Sequence, residues 1–298
     1  MKYFSRLLCF ALIALVTLEH AAASPFGARS KASTPGSSTA KADKIAKLPR
    51  GGGILGTPVE FKHLATLYYS FYALNGVTAM PAPEASAATF PELRDKDSPG
   101  YVIYEHLGAI SLSYAALCYF ATTESRFGST AIALSSLPMA YVRYKYVLAN
   151  LGKASTASML LAGIFIGCIA FILSGKGDAD LGLVALWYFY VGSGFAGVYD
   201  PNIGVKVWGF PTLEKKSTKA FFIWFSALVA GYGVLALLMQ DGRHGMKAIG
   251  PAAIFELLFM IDCVFVRKWN VGVAPPESNY VFLGIPLITA LGAILTGN

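Results

Sequence analysis

Beyond residue 60 the chain divides into eight apolar segments, residues 64–80, 101–121, 130–148, 154–174, 181–199, 220–239, 248–267 and 279–296. Most approach the roughly 20 residues that carry a helix across about 30 Å of hydrocarbon at about 1.5 Å per residue. Few charges interrupt them, so a helix formed by any of them is apolar around most of its circumference. The expectation is an all-α, polytopic membrane protein with eight transmembrane helices. The composition agrees: 55% of residues are hydrophobic and 14% are charged, against roughly 25% charged in an ordinary globular domain.

Charge placement sets an expected orientation. With a translocated N-terminus, one side receives Arg94, Lys96, Arg143, Lys145, Lys153, Lys206, Lys215, Lys216, Lys219, Arg267 and Lys268, and the other Arg126, Lys176, Arg243 and Lys247. Eleven against four follows the positive-inside rule. The net charge of +7 belongs to the leader, since residues 1–53 hold eight Lys or Arg and two acids, a balance of +6. No folded basic patch remains to suggest nucleic acid as a partner.

The leader "MKYFSRLLCFALIALVTLEHAAASPF" has a basic start, an apolar stretch and small residues before residue 24, as a signal peptide over 1–23 does. Residues 24–60, rich in Ser, Ala, Lys and Gly, have too little apolar area to offset their ordering entropy. They read as a disordered basic segment, similar to the transit-like part of the two-part presequences of complex plastids, with Phe26 near the cleavage point. The location expected is an endomembrane or a complex-plastid membrane reached by the secretory route, with the mature N-terminus lumenal.

Two stretches about 120 residues apart share a pattern: Tyr68 with Tyr188, Pro81 with Pro201, Phe90 with Phe210, Pro91 with Pro211, and Leu93 with Leu213. "ILSG" at Ile172 returns as "ILTG" at Ile294. The expectation is two parallel four-helix repeats, 61–176 and 177–298. Pro81, Pro91, Pro201 and Pro211 would punctuate helix ends, and Trp208 and Phe210 would anchor an interfacial segment. A helix ending in "GSGFAGVYDP", then a short segment and "WGFP", resembles the DoxX-like group of small four-helix membrane domains. That resemblance implies a four-helix fold for each copy, and for some members a role as a small subunit of a membrane redox complex.

Chemistry-bearing residues are few. Glu256 and Asp262 lie within "AIFELLFMIDCVFV", six residues and about 240° apart on a helix, so they do not form a dyad. A buried carboxylate must face a polar cavity or hold its proton, and no cation lies within two turns of Glu256 on its own segment. Glu105, Arg143 and Asp262 are expected near one membrane face as a polar cluster, with His106 beside it. Asn75, Tyr69 and Tyr72 face a second possible site near Gly192, Ser193, Gly194 and Gly197, where close helix packing is the alternative account. These are candidate substrate or proton sites, with a structural ion pair or snorkelling near the headgroups as the favoured account of Glu105, Arg143 and Asp262; no catalytic residue is assigned.

Cys9, Cys118, Cys168 and Cys263 lie apart in apolar runs, so neither a disulfide framework nor a metal site is expected. Phosphate-loop, HExxH, CxxC and G-x-S-x-G motifs are absent, and no cofactor is expected. The expected function is carriage of a small solute or proton-coupled substrate through a cavity between repeats. The alternatives are a non-catalytic subunit of a membrane complex, with bilayer and neighbouring subunits as partners, and a membrane enzyme acting on lipid or quinone. An enzyme is the least supported, because no nucleophile or metal constellation is visible.

Overall fold

The computed structural model describes residues 61–123, 128–150, 156–175, 179–268, 272–273 and 276–295. The signal-peptide and transit-like expectations fall outside them. Among the described residues ten α-helices follow in order: α1 Phe61–Ala79, α2 Pro99–Thr122, α3 Gly128–Ser135, α4 Leu137–Ala149, α5 Thr156–Ser174, α6 Ala179–Tyr199, α7 Pro201–Trp208, α8 Lys216–Gln240, α9 Met246–Ile261 and α10 Pro276–Leu295. Two short 3-10 turns, Pro83–Ser86 and Pro91–Arg94, join α1 to α2. Residues Phe61–Asn298 form one compact unit.

Local chemistry sets the helix ends. Ser98 caps α2, its Oγ accepting from the Tyr101 amide at 3.1 Å, and Pro99 occupies the first position, where no amide hydrogen is needed. Asp200 caps α7 in the same way, with Oδ1 accepting from the Asn202 amide at 2.9 Å. Gly209 ends α7 in the left-handed region, at φ +67°. Its amide donates to the Lys206 carbonyl and the Phe210 amide to the Val205 carbonyl, the paired closure that a left-handed glycine permits. The segment expected over 130–148 is broken at Ser136, because Pro138 has no amide hydrogen for the carbonyl one turn back. Tyr232 of α8 fastens that break, donating to the Ile132 carbonyl at 2.7 Å, with the Ser135 and Ser136 hydroxyls at 2.7 and 2.9 Å.

The core is organised around α8, which packs against α2, α6 and α9, while α1 lies between α2 and α10. Small residues let the helices close up. A Cβ on Gly76 would stand 2.7 Å from the Leu112 backbone nitrogen, and one on Gly108 would stand 2.7 Å from the Ala79 carbonyl carbon, so α1 and α2 cross nearly backbone to backbone. Gly194 meets the Ala230 backbone, and Gly197 meets Ser226 and Gly204. Close packing therefore accounts for Gly194 and Gly197 of the "GSGFAG" stretch, while nothing stands within 4 Å of a Cβ at Gly192.

The eight-span expectation is overturned. Among the described residues two helices, Lys216–Gln240 and Met246–Val266, combine the length and apolarity to cross a membrane. Over its apolar window α8 is wholly enclosed by protein, and the second helix is half enclosed. An enclosed core helix is apolar on every side because protein surrounds it, and this composition reads like a lipid-facing one. Within α5 and α10 the apolar stretches Ser158–Ser174 and Tyr280–Ile294 are shorter than a span needs. Leu160, Ile164 and Phe171 of α5, and Leu287, Leu291 and Ile294 of α10, remain exposed on the outside of the bundle.

The readings that depended on eight spans fall with them. These are the two parallel four-helix membrane repeats, the DoxX-like resemblance, solute carriage between repeats, and the bilayer or a membrane complex as partner. The multi-pass endomembrane or plastid location goes as well. The paired motifs also differ in structure: Pro81 precedes two 3-10 turns, whereas Pro201 opens an α-helix. Trp208 and Phe210 are not interfacial anchors; they are buried, as is Phe90. Pro201 is buried, while Pro81, Pro91 and Pro211 are exposed.

Candidate functional site

Tyr68 and Tyr72 are four residues apart on α1, so both rings leave the same face and point at one place. That place is Glu256 of α9, which is 3% exposed. The Tyr68 hydroxyl donates to Glu256 Oε2 at 2.6 Å, and the Tyr72 hydroxyl donates to Oε1. Tyr114, from α2, lies 2.9 Å from the Tyr68 hydroxyl. When Glu256 is ionised, the single proton of Tyr68 is committed to the carboxylate, so Tyr114 donates to Tyr68 and the chain runs Tyr114, Tyr68, Glu256. The three rings meet edge to face with centroids 5.2 to 5.8 Å apart.

Burial pushes the Glu256 carboxyl up to about 7, and the two tyrosine hydrogen bonds hold it from rising further. Burial, together with the carboxylate, holds the Tyr68 and Tyr72 phenols well above their ordinary range. The group therefore exchanges its proton near neutrality while its tyrosines stay neutral. Cys118 is buried beside the cluster, its thiol raised first by burial and then by Glu256.

Glu256 and Tyr72 form the floor of a cavity of about 200 Å³. Phe90, Tyr104, Trp224 and Phe282 wall it with aromatic surface, and Asn75, Ser86, Thr89 and Ser111 supply polar points. Thr89 is exposed and Ser86 half-buried, so the outer end lies at the turns between α1 and α2. Trp224 and Phe282 are stacked at 5.7 Å, and Phe90 stands edge-on to Trp224 at 6.3 Å. Among the described residues lining this cavity, Glu256 is the one acid, and there is no Lys, Arg or His.

The other candidates are distributed elsewhere. Glu105 is paired with Lys145 at 2.6 Å. Asp262 is paired with Arg267, whose Nη1 also donates to the Val198 carbonyl at 2.6 Å. Asp262 opens a π-helical turn, Asp262–Val266, in which the Arg267 amide reaches back to the Asp262 carbonyl at 2.8 Å. Arg143, 1% exposed, donates to Ser158 Oγ at 2.6 Å and lies over the rings of Tyr146, Trp208 and Phe210 at 5.4, 5.5 and 5.8 Å. Thus Glu105, Arg143 and Asp262 have three different sets of partners and do not make one cluster. Sequence spacing orders residues along a helix axis, but the packing of helices decides which way each one faces.

His106 packs against the Phe210 and Tyr146 rings at 4.8 and 5.5 Å. Its Nδ1 lies 2.8 Å from the Val102 carbonyl, the geometry of a neutral ring donating from Nδ1. Burial and then Arg143 pull it down to about 3. Of the aromatic set, Tyr72 and Asn75 line the cavity, and Tyr69 does not. Tyr68 and Tyr114 were not singled out as site residues by sequence. The i, i+4 tyrosine pair opposite a carboxyl without a cation was the available signal.

Among the described residues no group of three or more His, Cys, Asp or Glu side chains is gathered as a metal site would require. No protein-family model, curated protein or solved structure matches this chain.

Proposed function

We propose that this protein binds a small, predominantly apolar molecule in the cavity between α1, α2, α8, α9 and α10, with the polar end of the ligand at Glu256. The observation that supports this is a buried carboxyl, held by two tyrosines, at the floor of a cavity walled by aromatic rings. Pockets of this kind draw their affinity from the apolar wall and their orientation from one or two fixed polar groups. Each Glu256 oxygen accepts one tyrosine hydrogen bond and retains a second lone pair for a ligand. The reading is of a binding protein. The described site gathers no nucleophile and base in contact, so no reaction is assigned to it.

The test uses Trp224 as reporter, since it lines the cavity. Cyclohexanol and cyclohexylamine are titrated while tryptophan emission and the unfolding temperature are followed. Saturable changes with at least one compound, lost in Ala227→Phe, which fills the cavity from α8, are expected. No saturable change with either compound, or an undiminished response in the filled variant, overturns the reading.

A further inference from the structure

We infer that the ligand of this cavity is an organic cation, an amine or ammonium group on a small apolar body, seated against the Glu256 carboxylate within the aromatic wall. The inference rests on the binding reading above and names the chemical class that the same site selects.

Charge balance is the first support. Glu256 is buried in a cavity whose described lining contains no Lys, Arg or His. Its facing titratable groups are Tyr68 and Tyr72 from α1 and Tyr114 and Cys118 from α2. From α8 and α10 the cavity is lined by Trp224, Ala227, Leu228 and Phe282, none of which titrates, and from α2 also by Tyr104, a phenol raised by burial. A carboxylate in such surroundings is costly without a cation, and none stands among the described lining residues. Compare Asp262, which the fold provides with Arg267. An arriving ammonium group would be the missing counterion.

The walls are the second support. Phe90, Tyr104, Trp224, Phe282 and Tyr72 surround the space, and aromatic faces attract cations through their quadrupole, tryptophan most strongly. A neutral polar head gains less from those faces than a cation does, and an anion meets a like charge at the floor. The apolar body of the ligand would lie against Leu107, Leu228 and Met260.

Binding is coupled to a proton. Below the pH at which Glu256 ionises, the free site holds a carboxylic acid. An ammonium ion that enters as a cation remains one, the Glu256 O–H bond breaks, and the proton leaves to solvent. The balance is one carboxylic acid plus one ammonium giving one ion pair plus one hydrogen ion. Above that pH the site is already ionised and no proton is released.

Cyclohexylamine and cyclohexanol, near-isosteres that differ in charge, provide the experiment. In the full chain at about pH 8, calorimetry is expected to show cyclohexylammonium binding at least about tenfold more tightly than cyclohexanol. Repeating the titration at about pH 6 in two buffers of different ionisation enthalpy is expected to show close to one proton released per amine bound and none per alcohol. In E256Q the preference falls towards unity. In Trp224→Leu the amine weakens more than the alcohol, which keeps the test available if E256Q does not fold. Equal or tighter binding of the alcohol, or amine binding without proton release, overturns the cation assignment while leaving the cavity as a binding site. Binding of neither compound overturns both.

Discussion

The Tyr68 hydroxyl and Glu256 Oε2, 2.6 Å apart, join two helices whose residues are separated by 188 positions. With Tyr72 on the other oxygen, α1 holds the carboxyl of α9 by two donors, and neither helix could place the group alone.

That arrangement has a defined pH dependence. The folded Glu256 ionises near 7, above its ordinary value of 4.5, so the folded state binds the proton more tightly than the unfolded chain. Its contribution is fully present below about pH 4.5 and is lost as pH rises through 7. The size is about 3 kcal/mol from about 1.4 kcal/mol per unit. Chemical denaturation is expected to show E256Q gaining stability relative to wild type between about pH 5 and about pH 9 by that order. A parallel pH dependence in the two proteins would refute a raised Glu256.

His106 has the opposite sign. Its folded value lies near 3, below the ordinary 6.5, because burial and then Arg143 oppose its charged form. Its contribution is present above about 6.5 and drains away as pH falls towards 3. His106→Phe, placed among Tyr146, Phe210 and Phe225, is expected to flatten the loss of stability between about pH 6 and about pH 4. Acid titration followed by circular dichroism measures it.

Arg143 offers a sharper contrast. Burial draws its guanidinium down to about 10, and its cation lies among three rings and Ser158 Oγ. Lysine carries a compact, strongly hydrated charge that cannot spread over the rings. R143K is therefore expected to be less stable than R143M by about 1 kcal/mol or more, although lysine keeps the charge. Denaturant midpoints of the two variants decide this, and an R143K protein at least as stable as R143M would contradict it.

The crossing of α1 and α2 at Gly108 allows no extra atom, since a Cβ there would meet the Ala79 carbonyl carbon at 2.7 Å. Gly108→Ala is expected to cost about 1–3 kcal/mol, the range for overpacking. Gly163→Ala, where nothing stands within 4 Å, serves as the control; in a helix interior it is expected to be neutral or slightly stabilising.

The sequence shows where helices lie better than what surrounds them. The segment at 220–239 was legible as a helix from its unbroken apolar run, yet Phe221, Ile223, Val229 and Leu235 read the same whether lipid or protein covers them. The break in the third segment had its signal in Pro138, which an apolar count passes over. Glu256 stood out because no cation lay near it in sequence. Tyr72 was legible as a candidate, but the pairing of Tyr68 and Tyr72 with Glu256 was not, because contact across 188 and 184 residues is set by how helices dock. Arg143 and Glu105 looked like neighbours for the same reason, and tertiary packing gave each a separate partner.

A cylinder enclosed on every side leaves no face free to drift. Because α8 is wholly covered over its apolar window, a survey of substitutions along it should show uniform intolerance, without the three-to-four-residue rhythm by which a half-exposed helix reveals its outer edge. Changes there would survive chiefly in compensated pairs with α2, α6 or α9.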